Sequence, residues 1–250
     1  MTELQQLHRR IYERFVKAFV TYQLLKDNDH VLVGLSGGKD SLCLLEMLAQ
    51  RSRIDFPKFS VEAVHVRMDN INYETSTDYL EQFCREQNVA LHIVNTSFTV
   101  SKVPLSSSRD ARRQKQPCFL CSWNRRKQIF NMAQELGCNK IAFGHHQDDL
   151  LHTAIMNIMY QGRFATMPAR LVMKKMPLTI IRPLCMVPES DIQRYAELRG
   201  YEKQLKQCPY EHDSHRNDAK KLLDALQQSN PEVRHSMWKA LLRDNKLVEE

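Results

Sequence analysis

The run "HVLVGLSGGKDSLC" (residues 30–43) passes from a short apolar segment into a glycine turn and then into polar residues that open a helical pattern. It has the glycines, lysine and hydroxyls of a phosphate-binding loop. It is not the Walker A pattern, which needs four residues between the first glycine and Gly-Lys. "HVLVGL" reads as a buried strand, and Leu42, Leu45, Met47 and Leu48 fall on the apolar side of the helix that follows. Between them, Gly37 and Gly38 let the backbone turn so that successive N–H groups converge, and the helix N-terminus adds partial positive charge. Ser36 and Ser41 offer hydroxyl donors and Lys39 a full charge, while Asp40 caps the helix or helps to hold magnesium. The plain alternative is a glycine turn with a Ser/Asp cap. The whole hexapeptide, set between a buried strand and an amphipathic helix, favours an anion site.

Working outward, residues 4–22 place Leu4, Leu7, Ile11, Phe15 and Phe19 at helical spacing. "SVEAVHVRM" (60–68) and "ALHIVN" (90–95) read as strands separated by a helix around 76–87. A helix near 122–136, a strand "NKIAFG" (139–144), a helix near 148–160 and a strand "LTIIRPL" (178–184) continue the alternation. This predicts an α/β protein with a parallel sheet covered by helices on both faces. Ligands of such sheets sit at the carboxyl ends of the strands, where both Gly34–Ser41 and Gly144–Asp149 fall. Beyond residue 185 only helices are expected, near 188–199, 215–228 and 231–243. The division is then an N-terminal helix (1–28), a nucleotide-binding domain (29–184) and a helical C-terminal region (185–250). The stretch 99–117, polar and basic, is the most linker-like.

The bulk properties restrict the function class. The chain has 250 residues, 26% charged and 42% hydrophobic, as in ordinary globular proteins. No apolar run approaches the roughly 18 residues of a membrane span, and the first residues lack a signal-peptide core. A cytoplasmic location and no membrane partner are the expectation. The formal charge of +7 permits nucleic-acid binding. Seven cysteines in a reducing compartment argue against a disulfide framework.

Two further motifs carry chemistry. "PCFLCSWNRRK" (117–127) sets Cys118 and Cys121 as a CxxC pair at the start of a helix. Such a pair suits a metal, a cluster or redox exchange, or is simply two packed cysteines. Cys208, in "LKQCPYEH", is a third cysteine far downstream; Cys43, Cys84, Cys138 and Cys185 lie in apolar contexts and read as core. "FGHHQDDLLHT" (143–153) places His145, Asp148 and Asp149 directly after a strand. These residues form a nucleotide-pocket or magnesium site, or are acids favoured by a helix N-terminus.

"SGGKDS" resembles the PP-loop of the ATP pyrophosphatase family, which cleaves ATP between the α and β phosphates. With the CxxC, "GHHQDD" and the later "IRPL", the chain resembles the TtcA-type tRNA 2-thiocytidine synthetases over residues 8 to 210. The resemblance implies a Rossmann-like, adenine nucleotide alpha hydrolase-like fold and an ATP-dependent tRNA sulfurtransferase. In this scheme Ser36, Gly37, Gly38, Lys39, Asp40, Ser41, Gly144, His145 and Asp148 bind ATP, and Lys39, Asp40 and Asp149 act with magnesium in catalysis. A [4Fe–4S] cluster on Cys118, Cys121 and Cys208 leaves one iron free to bind sulfur. The product is 2-thiocytidine in the tRNA anticodon loop, at position 32, with the sulfur donated by a cysteine desulfurase or by free sulfide. A homodimer is an allowed assembly. The family's second downstream cysteine is replaced here by Glu211, which leaves His212 or His215 as alternative ligands.

Basic residues flank the CxxC: Arg109, Arg112, Arg113 and Lys115 before it, Arg125, Arg126 and Lys127 after it. With Arg163, Arg170, Lys174 and Lys175 they suit an RNA backbone, and Trp123 or Phe164 suits a stacked base. Two other readings compete. One is a different PP-loop ligase, which would not need the CxxC. The other is a non-catalytic iron–sulfur or zinc protein that senses redox state and binds nucleotide without releasing pyrophosphate.

Overall fold

The computed structural model describes residues 1–69, 71–73, 76–97, 117–202, 206–207 and 215–249. Helix α1 (Glu3–Tyr22) buries Leu7, Ile11, Phe15, Ala18 and Tyr22, a spacing of three and four that lines one side of the helix. Thr2 and Gln5 close its N-terminus reciprocally, with bonds of 3.2 and 2.9 Å. Then follow β1 (His30–Gly34), α2 (Lys39–Arg51), β2 (Ser60–Met68), β3 (Asn72–Tyr73), α3 (Asp78–Gln87) and β4 (Ala90–Thr96). The CxxC opens α4 (Pro117–Glu135), which leads to β5 (Lys140–Ala142), α5 (Gln147–Gln161), β6 (Arg170–Val172) and β7 (Thr179–Ile181). The remainder is α6 (Glu189–Arg199), β8 (Lys206–Gln207), α7 (His215–Ser229), α8 (Val233–Arg243) and β9 (Val248–Glu249).

The main sheet runs β4-β2-β1-β5-β7-β6-β9. From β4 to β7 all pairings are parallel. The chain moves outward from β1 to β2 and β4, then returns to the other side of β1 for β5 and β7. The order therefore reverses between β1 and β5, and crevices for ligands form at such a point. Alternation along the strands divides the core. Val31, Val33 and Ala142 join the large cluster under α1, α2, α3, α5, α6, α7 and α8. Leu32, Val64, Val66 and Ile141 face Ile129 and Ala133 of α4 on the opposite side.

The parallel-dominated sheet with helices on both faces is as expected, and β6 joins it antiparallel to β7. One detail is corrected. Residues after 185 are not all helical: β9 adds itself in parallel to β6, and β8 pairs antiparallel with β3. These strands are two or three residues long, too short for alternation to reveal them. No helix among the described residues is long and apolar enough to cross a membrane.

Candidate active site

The loop after β1 folds on its own hydroxyls. Ser41 Oγ donates to the Gly38 carbonyl at 2.9 Å and accepts from the Ser36 backbone N–H at 3.2 Å. Ser36 Oγ lies 3.1 Å from Ser41 Oγ and accepts from the Gly38 N–H at 3.3 Å. Gly37 has φ +81°, the left-handed region where glycine carries no Cβ penalty. The loop thus enters α2 at Lys39 with its N–H groups gathered at a helix N-terminus, the setting that favours bound anions.

Lys39 Nζ donates to Asp40 at 2.9 and 3.2 Å and to Glu189 Oε1, at the start of α6, at 3.0 Å. Burial alone would lower the lysine pKa, but the two carboxylates reverse the effect and hold it above the ordinary value. The same pairing holds Glu189 below the usual carboxylate range against the burial that would raise it.

The second motif meets the first here. The N–H of His146 donates to Asp149 Oδ2 at 3.1 Å, so Asp149 closes the start of α5. His146 is buried, and its Nε2 lies 3.5 Å from Asp149, 3.8 Å from Asp40 and 3.9 Å from Glu189. Asp148 faces the other way: it accepts the Glu189 N–H at 2.8 Å and a bond from Arg234 of α8. Burial opposes its ionisation, but these donors outweigh that cost and keep its pKa low. Asp148 thereby ties α5 to α6 and α8.

Among the described residues no three or more His, Cys, Asp or Glu side chains form a ready metal shell. A magnesium ion carried in on phosphates needs only one or two carboxylates from the protein. Asp40, with Asp149 or Glu189, meets that demand.

Beside the loop, at the carboxyl edge of the sheet, lies a cavity of ≈ 660 Å³. Ser36 and Gly38 form one wall, Ser122, Arg125 and Arg126 of α4 another, and His65, His145 and Arg182 reach it from the strands. Among the described residues no Asp or Glu lines it, and the guanidinium groups make it a place for anions. Arg182 is 7% exposed, and burial next to Arg126 pulls its pKa to about 10. His65 Nδ1 donates to the Leu35 carbonyl at 2.7 Å, and burial lowers its pKa, so the neutral ring carries its proton on Nδ1. His145 packs edge-on against Phe143 at 5.8 Å.

Cys121 is half-buried, whereas Cys43, Cys84, Cys138 and Cys185 are buried as expected of core residues. Burial pushes the Cys84, Cys138 and Cys185 thiols up to about 12. Cys121 lies in the second turn of α4, and its thiol is the donor type that an iron–sulfur cluster takes. The side chains of Cys118 and His215, together with Cys208, Glu211, His212, Arg109, Arg112, Arg113, Lys115 and the stretch 99–116, lie outside the described residues. Of the two aromatics suited to stacking, Trp123 is half-exposed while Phe164 packs against the large core cluster.

Residues 5–214 match the family model described as a PP-loop domain. The chain belongs to the PP-loop family. A curated relative, the tRNA-cytidine(32) 2-sulfurtransferase 1 of Francisella tularensis subsp. novicida (strain U112), is 32% identical over 240 residues, 95% of this chain and 87% of the relative. The tRNA-cytidine(32) 2-sulfurtransferase of Paraburkholderia xenovorans (strain LB400) is 34% identical over 203 residues, 80% of this chain and 57% of that one. Among solved structures, the U34-tRNA thiolase NcsA from Methanococcus maripaludis with its [4Fe-4S] cluster matches with a TM-score of 0.73 and 24% identity. The match covers 96% of this chain and 79% of that one, and it supports the PP-loop fold.

Sequence reasoning missed Glu189, Arg182, Arg234 and the role of His146. Glu189 carries a weak signal, since Pro-Glu after a turn marks a helix start. Its reach to Lys39 spans 150 positions and leaves no local trace.

Proposed function

We propose that this chain is an ATP-dependent tRNA thiolase that converts a cytidine to 2-thiocytidine. One observation carries the reading: the PP-loop and the CxxC helix line the same cavity, through Ser36 and Gly38 on one side and Ser122, Arg125 and Arg126 on the other. An enzyme that activates a carbon with ATP and then delivers sulfur to it must hold both chemistries around one enclosed base. The names of the curated relatives support cytidine 32 of the anticodon loop as the substrate.

The N–H groups of Gly37–Lys39 and the hydroxyls of Ser36 and Ser41 hold the β and γ phosphates of ATP. Attack by the C2 oxygen on the α-phosphorus forms the new O–P bond and breaks the bridge to the β-phosphate. The departing pyrophosphate keeps its charge stabilised by the loop and by Lys39, whose raised pKa keeps it an ammonium. Asp40, with Asp149 or Glu189, would hold magnesium, which neutralises phosphate charge. Cys118, Cys121 and Cys208 would hold a [4Fe–4S] cluster, which when bound would present hydrosulfide to the base. Hydrosulfide, either free or released from a desulfurase persulfide by two-electron reduction with an external thiol, then adds at C2; the C2–O bond breaks, AMP leaves with that oxygen and the sulfur loses its proton. Arg126 and Arg182 face the cavity and hold the AMP phosphate during that exchange.

The test is release of AMP and pyrophosphate from ATP with and without tRNA. Release that depends on tRNA is expected. ATP binding with no turnover in the presence of tRNA would contradict the proposal and favour a nucleotide-binding sensor.

A further inference from the structure

Helix α4 has an unusual wet face. Leu120, Ile129, Phe130 and Ala133 turn inward to the smaller core cluster. Phe119, Ser122, Trp123, Arg126 and Lys127 are all exposed, at i, i+3, i+4, i+7 and i+8, so they form one stripe. Phe119 and Trp123 leave 53% and 51% of their surface in solvent, on a helix otherwise well packed against the sheet. Lys127 Nζ stands 5.6 Å from the centre of the Trp123 ring, and no acidic residue occurs in α4 before Glu135. The stripe runs into the site, because Ser122 and Arg126 also line the cavity.

Exposed ring faces set among cations suit single-stranded nucleic acid. Bases stack on the rings whatever their identity, and the cations take the phosphates between them. A double helix presents phosphates but no free base faces, so it cannot use the rings. We infer that this face of α4 is a docking ledge for the unpaired bases of an RNA loop. With one base in the cavity, its neighbour stacks on Trp123, and Lys127 holds the adjoining phosphate. The inference rests on the thiolase reading and adds to it the surface by which the loop is presented.

Tryptophan emission tests it directly. The chain has two tryptophans, and Trp238 is buried at 8% exposure, so quenching by a stacked base reports Trp123. Wild-type protein is titrated with an anticodon stem–loop labelled for anisotropy, and in parallel with a blunt duplex of equal charge. The stem–loop is expected to quench the emission. Trp123→Leu should weaken stem–loop binding roughly tenfold, and Trp123→Phe should restore most of it. Duplex binding and ATP affinity should be the same in all three proteins. Unchanged stem–loop affinity in Trp123→Leu overturns the ledge while leaving tRNA-dependent ATP turnover standing. If that variant instead loses binding of a cysteine desulfurase, the face belongs to a protein partner and the ledge is equally overturned. Failure of the wild type to bind the stem–loop overturns both the ledge and the thiolase reading.

Discussion

Gly144 stands against the backbone of Asp40. A Cβ built on Gly144 would lie 2.9 Å from the Asp40 carbonyl carbon and oxygen and 3.0 Å from the Ser41 nitrogen. These are backbone atoms at the first turn of α2, so they cannot swing aside as a side chain would. The strand end of β5 and the PP-loop of β1 therefore touch main chain to main chain at the point where the sheet order reverses. Gly144→Ala should push the loop off its position, and a displacement of about 1 Å in such a site costs on the order of 100-fold in rate. Circular dichroism should stay near wild type while tRNA-dependent pyrophosphate release falls. Wild-type release by Gly144→Ala would show that the loop's placement does not depend on this contact.

Lys39 is held between Asp40 and Glu189, and in the proposed reaction its charge would stabilise the leaving pyrophosphate. Lys39→Ala should reduce product by roughly 100- to 1,000-fold, the range for losing one preorganised donor. Its iron content after anaerobic reconstitution should equal that of the wild type, because the proposed cluster ligands are elsewhere. Full activity in Lys39→Ala would remove the loop from the chemistry.

Arg234 supports the site from a distance through Asp148. The carboxylate is buried and Arg234 is partly exposed, so removal of the guanidinium leaves an incompletely compensated buried charge. Arg234→Met should lower stability by about 2 kcal/mol, below the full cost of breaking a wholly buried pair. Denaturant midpoints would measure it. An unchanged midpoint would mean that α8 is not anchored through Asp148.

The buried histidines set a pH dependence. His65 and His152 have lowered pKa values, in both cases chiefly because burial disfavours the imidazolium. In the unfolded chain both titrate near about 6.5. As pH falls below that value the unfolded state takes up protons that the folded state refuses, so stability declines. Melting temperature should fall as pH drops below about 6.5, and His152→Gln should flatten the slope. Asp148 and Glu189 have lowered pKa values, so their stabilisation is lost only in the more acid range, as pH falls through their folded values.

Long periodic segments were legible because burial repeats locally. The apolar stripe of α1 and the alternation of Val31, Leu32 and Val33 each announce an element and its inward face. The PP-loop was legible because its glycines, hydroxyls and lysine are contiguous. Glu189, Arg234 and Arg182 were not, since each gains meaning only when the chain returns to the strand ends from far along the sequence. Gly144 was placed in the nucleotide site by its motif, but the contact that demands a glycine there is tertiary. The short strands β6 and β9 are held by neighbouring strands more than by their own pattern.

The central claim is that ATP activation and sulfur delivery meet on one cytidine. The most direct measurement is anaerobic reconstitution with iron and sulfide, incubation with tRNA, ATP and magnesium, and nucleoside analysis by mass. The account predicts 2-thiocytidine from the wild type and none from Cys121→Ala. Thiolation that survives in Cys121→Ala, or ATP turnover on tRNA with no sulfur in any nucleoside, would contradict it.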